Sequence, residues 1–165
     1  MERLELRKQT SEEFRALSGA ARDAGVQNKM FGVFHDAGYK GLYDGKGAED
    51  IKKLKGVDKR ENLMDRMNTT ELAANQFRMT QTREKLQKER INSQEKAILA
   101  HKKVGQEVRD AIKRIGGTMP EKIPPAEHIK QVKKRIKSIE PRLELDEQNA
   151  KGLTGSTNVK KENNK

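Results

Sequence analysis

The sequence predicts an all-α protein, an irregular multi-helix bundle with a glycine-rich loop and a disordered C-terminal tail. Three observations carry this. Apolar residues recur at three- and four-residue steps, as at Ala97, His101, Val104, Val108, Ala111 and Ile115, and again at Ile129, Val132, Ile136, Ile139 and Leu143. No stretch alternates as a strand would. Hydrophobic residues make up 32% of the chain against 37% charged, which suits thin helices packing pairwise rather than a thick core. The expected organisation is a helical domain over residues 1–145 and a tail over 146–165.

The first helical segment spans residues 2–25, with Phe14, Leu17, Ala21 and Ala24 inward. Thr10 and Glu13 read as a capping box, which leaves residues 2–9 as a separate turn, a frayed start or the remnant of a longer upstream helix. A second helix over residues 27–36 uses Met30, Phe31 and Phe34 and stops at Gly38. In the following GYKGLYDGKG, glycines at 38, 41, 45 and 47 point to tight turns, with Tyr39, Leu42 and Tyr43 pinning the loop and both tyrosine hydroxyls left wet. Short helices follow at 48–54 and 59–67, separated by Gly56. Ser93 or Asn92 caps the helix that Gly116 and Gly117 end. Pro120, Pro124 and Pro125 make a rigid connector, and a last helix follows whose heptad seam suits one partner helix and which Pro141 should end or bend.

The densest pattern lies at residues 68–86. Asn68 can cap a helix, with Glu71 reaching back to the cap's N–H. Leu72, Met79 and Leu86 repeat every seven residues, with Ala73, Phe77 and Thr80 beside them. Phe77 is expected to be buried against the Val104–Val108 helix. Glu71, Asn75, Arg78 and Thr82 fall on a different face. Their mixed carboxylate, amide, guanidinium and hydroxyl groups predict a partner-recognition row, with Tyr39 and Tyr43 as candidate neighbours. The blander reading is an ordinary polar face.

The chain carries 36 Lys+Arg against 25 Asp+Glu, a net +11 that favours acidic partners. Lys130, Lys133, Lys134 and Lys137 on the last helix are candidate phosphate contacts. With aromatics at 4%, a base-stacking platform is disfavoured. The absence of cysteine excludes disulfides and thiolate chemistry. No apolar run reaches membrane length and the first residues lack a signal-peptide core, so the expectation is a soluble cytoplasmic protein. GLYDGKG fails as a phosphate loop, because its glycine spacing is short and Gly47 stands where Ser or Thr is needed. His35, His101 and His128 show no metal spacing, and His101 reads as a packing histidine. No catalytic constellation is visible, and neither a metal nor a cofactor is expected.

Three blocks, FHDAGYKGLY (34–43), TTELAANQFRMTQTREKL (69–86) and GGTMPEKIPP (116–125), resemble in order and wording the carboxy-terminal region of the bacterial DNA-damage-inducible protein D family. The resemblance covers roughly residues 1–140. Family members usually carry a phage-antirepressor-like Bro-N domain ahead of this region, whereas this sequence opens directly on MERLELRKQ. A separate short member or a piece of a split protein is therefore expected. The resemblance implies a non-enzymatic role in the SOS response, acting on a RecA–DNA filament. The alternatives are an antirepressor of a prophage or mobile element that binds a repressor protein, and a non-specific DNA-binding protein. Homo-oligomers are compatible with all three.

Overall fold

The computed structural model describes residues 1–154. Six α-helices are joined by three short 3₁₀ turns: α1 Glu2–Asp23, α2 Phe31–Leu42, α3 Ala48–Lys55, α4 Thr69–Lys88, α5 Gln94–Arg114 and α6 Ile129–Thr154. No strand occurs among the described residues. The chain divides into one compact unit ending at His128 and a second beginning at Ile129, whose described part is α6.

In the first unit, α1 packs on α4, α2 on α5, and α4 on α5. Leu17, Ala20 and Ala21 from α1, with Ala24 just past its end, meet a core that contains Phe34, Leu42, Leu72, Met79, Leu86, Ala97 and Val108. Residues 2–9 continue α1 without a break. Thr10 is not a cap; it is buried inside the helix, and its hydroxyl donates to the Leu6 carbonyl (2.6 Å). Arg3 holds this first stretch down, its guanidinium donating to the carbonyls of Met67 (2.8 Å) and Asp65 (2.9 Å). Arg7 pairs with the Asp65 carboxylate. These contacts need Leu63–Arg66 to form a 3₁₀ turn, capped by Asn62, where a short helix over 59–67 was expected.

The glycine-rich segment is the main departure. Gly38 and Gly41 lie inside α2, which runs to Leu42 instead of stopping near residue 36. These glycines allow close approach rather than a turn. A Cβ on Gly105 of α5 would stand 2.7 Å from the Gly38 carbonyl oxygen and 2.9 Å from the Leu42 nitrogen, so the two backbones touch. The loop is confined to Tyr43–Gly47, where Asp44 (φ 56°) and Gly45 (φ 84°) reverse the chain. Local signals work elsewhere. Asn68 caps α4 (Oδ1 to the Glu71 N–H, 2.9 Å), Ser93 caps α5, and left-handed Gly56 closes α3.

In the second unit, α6 continues through Pro141 to Thr154. Residues 146–154, expected to be disordered, extend this helix. The rest of the expected tail, 155–165, lies outside the described residues. No described helix is long and apolar enough to cross a membrane.

Candidate partner interface

The row Glu71, Asn75, Arg78 and Thr82 lies inside the protein. Each of these residues is at most 1% exposed, whereas Phe77, expected in the core, is 53% exposed. The inward stripe of α4 is Leu72, Asn75, Met79, Thr82 and Leu86, with Glu71 and Arg78 alongside. The recognition row is thus an internal one. It can be buried because Glu71, Asn75 and Arg78 each meet a partner from another element, and Thr82 bonds a carbonyl of its own helix.

The contacts form one chain. His101 Nδ1 donates to the Phe34 carbonyl (2.8 Å), so Nε2 is free to accept from Arg78 Nη1 (2.5 Å). Arg78 Nη2 donates to Asn75 Oδ1 (2.9 Å), and Asn75 Nδ2 donates to the Tyr43 hydroxyl (3.0 Å). Tyr43 donates to Glu71 Oε1 (2.6 Å), which also receives Lys55 Nζ (2.6 Å). Lys55 donates onward to the Pro120 carbonyl (2.9 Å). The Arg78 guanidinium lies over the Tyr39 ring, 4.9 Å from its centroid. Thr82 closes on the Arg78 carbonyl (2.8 Å). Both tyrosines are therefore interior, and the Tyr43 hydroxyl is bonded rather than wet. Glu71 does not reach back to its cap; its carboxylate is committed to Tyr43 and Lys55.

Burial sets the electrostatics of this chain. It pushes the Glu71 carboxyl up, against the pull of Lys55 and the Tyr43 hydroxyl, and pushes Tyr43 well above its ordinary value, helped by the adjacent Glu71. Burial and the neighbouring Arg78 charge hold His101 well below its usual value. His101 is a neutral, packed histidine, in agreement with its tautomer. Burial and then Arg78 also lower His35, to about 4. The fold brings Ser18 within 2.9 Å of His35 Nε2, a neighbour that sequence reasoning missed. Ser18 also lies 2.9 Å from the Phe14 carbonyl, and the Phe14 ring stacks on His35 at 4.0 Å. The Ser18 bond and the Phe14 stack make His35 a contact between α1 and α2.

With the row inside, the surface is made by what surrounds it. The outward side of α5 separates two concavities. A basic groove of about 1180 Å³ is lined by Lys40, Lys102, Lys103, Lys113 and Lys122, with Asp44, Glu107 and Asp110 among them and Leu99 at its side. Arg109 there is bound to Glu121 by two bonds (2.7 and 2.8 Å), which fixes the connector as one wall. On the other side, an apolar recess of about 390 Å³ is formed by Phe77, Val104, Val108 and Ala111, rimmed by Lys85, Lys103 and Arg114. Lys103 and Glu107 line both. The two hollows therefore adjoin across α5 as one surface, basic with an apolar end. Lys130, Lys133, Lys134 and Lys137 are exposed on α6, in the second unit.

The family model described as the DinD C-terminal domain matches residues 1–132. The chain is similar to DNA damage-inducible protein D of Escherichia coli (strain K12), 44% identical over 140 residues that cover 84% of this chain and 51% of that protein. It thus spans about half the length of the curated relative it matches. No solved structure matches the chain.

Proposed function

The chain belongs to the DinD C-terminal domain family, and from that premise we propose that it is a non-enzymatic binding protein of the bacterial DNA-damage response that modulates a RecA-type recombinase filament. The similarity to DNA damage-inducible protein D supports the response. The observation that carries the binding reading is the outer side of α5, where two concavities share Lys103 and Glu107 between exposed Phe77 and Leu99. Five lysines suit an acidic protein surface, and Phe77 supplies the desolvated anchor that an interface needs. Interleaved Asp44, Glu107 and Asp110 suit a patterned protein face better than a uniformly negative phosphate backbone. A second reading, an antirepressor that docks a helix of a repressor, is favoured by the open apolar recess at Phe77.

The test is binding to a recombinase filament assembled on single-stranded DNA, compared for the native chain, Phe77→Asp and Lys103→Glu. Each substitution should weaken binding by about tenfold or more, a loss above 1 kcal/mol. Melting should stay near native, because both side chains are exposed. Unchanged filament binding would reject this surface. Equal affinity for bare DNA, falling steeply with salt, would favour the nucleic-acid reading, in which Lys133, Lys134 and Lys137 changed together to Gln flatten the salt slope.

A further inference from the structure

We propose that α6 pairs with α6 of a second copy of this chain, antiparallel, through the seam Val132, Ile136, Ile139, Leu143, Ala150 and Leu153; Ile129, at 4% exposure, is already buried and stands outside the seam. The described part of the second unit is a single 26-residue helix, about 39 Å long at the α-helical rise. A single helix cannot cover its own apolar stripe. Ile139, Leu143 and Leu153 are 43%, 57% and 79% exposed. Their spacing, with Asp146 at the one polar step, is a heptad a/d repeat, which specifies a partner helix rather than a flat surface.

Charge selects the partner and its direction. Between Ile129 and Ile139, α6 carries Lys130, Lys133, Lys134, Arg135 and Lys137 and no acidic residue. From Glu140 onward it carries Glu140, Glu144, Asp146 and Glu147 against Arg142 and Lys151. A parallel pair would set the two basic halves side by side. An antiparallel pair lays the basic half of each helix along the acidic half of the other. Centred near residue 141, that register puts Ile139 against Leu143, Val132 against Ala150 and Ile136 against Asp146, the seam's one polar layer. Lys133 and Glu147, both flanking the seam, then face each other twice by symmetry. Pro141 falls at the outermost heptad position, away from the seam, where its ring and missing N–H disturb pairing least.

The experiment is sedimentation of the full chain over a concentration series, with three variants. The native chain should show a monomer–dimer equilibrium. Leu143→Asp should weaken it by about tenfold or more. Lys133→Glu should weaken it and Lys133→Glu with Glu147→Lys should restore it, a rescue that misfolding would not give. Orientation is read by disulfide formation, which the absence of native cysteine keeps clean. Val132→Cys mixed with Ala150→Cys should cross-link to each other, and Ala150→Cys alone should not. A chain that stays monomeric at every concentration, a dimer indifferent to Leu143→Asp, or a cross-link between like positions would each overturn the proposal.

Discussion

Arg78 is the residue on which the interior turns. Its two terminal nitrogens serve His101 and Asn75, its plane covers Tyr39, and burial pulls its pKa down. Arg78→Ala would leave His101 Nε2 and Asn75 Oδ1 without donors and open a cavity beside α2. We expect a loss of about 3 kcal/mol or more in a urea melt, with little recovery in Arg78→Lys, which lacks the planar fork. A surface recognition residue would leave the melt unchanged. Acid attacks the same place. His35 and His101 have folded pKa values below their unfolded ones, so the unfolded chain binds more protons as pH falls. Their contribution is present above about pH 6.5 and is lost on descent, through about 4 for His35. Glu71 runs the other way, since its raised pKa makes acid easier to bear, but near pH 4.5 and above. Asp58, Glu61 and Glu121, whose pKa values are lowered, lose their contribution below their ordinary values of 3.8 and 4.5. The melting temperature should fall between pH 7 and 5, and His101→Gln should flatten that fall. The Arg78 network was not legible in the sequence, because Tyr43, Lys55 and His101 lie 16–32 residues from their partners on α4. One trace of it was there. Leu72, Asn75, Met79, Thr82 and Leu86 keep alternating three- and four-residue steps, the rhythm of an inward stripe, with polar residues in two of the five places.

Among elements, α2 and α5 show how one residue type can signal opposite things. Glycine density predicted a loop at residues 38–47, yet Gly38 and Gly41 were selected for contact, not for φ. The distinction depends on α5 bringing Gly105 opposite, and no local pattern within α2 announces that. By contrast, the periodicity of α5, its Ser93 cap and the Asn68 cap of α4 were legible because each is decided within a few residues. The contrast is measurable. Gly41→Ala would press a methyl into the α5 backbone at Lys102 and should cost about 1–3 kcal/mol. Gly19→Ala, inside α1 with open space around it, should stabilise by about 0.5–1 kcal/mol in the same denaturant series.

For the whole molecule, apolar content placed the chain correctly among all-α proteins but misassigned its surface. Phe77 was read as core because it is aromatic and next to Leu72 and Met79 in helical phase; it lies outside because the groups bonded to Tyr43 and His101 claim the interior. The expected helical domain ended at residue 145, whereas the compact unit ends at His128 and α6 runs on from Ile129.

Backbone contact between α2 and α5 also bears on time. Where Gly38 and Gly41 meet Gly105, the two backbones touch with no side chain between them, so that stretch cannot breathe apart by rotamer exchange. They open only when the unit opens. Amide hydrogens along their shared side should therefore exchange with deuterium more slowly than those of α3, and at nearly one common rate. The outer side of α5 is thus presented by a helix whose opposite side is in backbone contact with α2. A partner that docks there has little backbone freedom to freeze, so association should proceed without an ordering step in its kinetics.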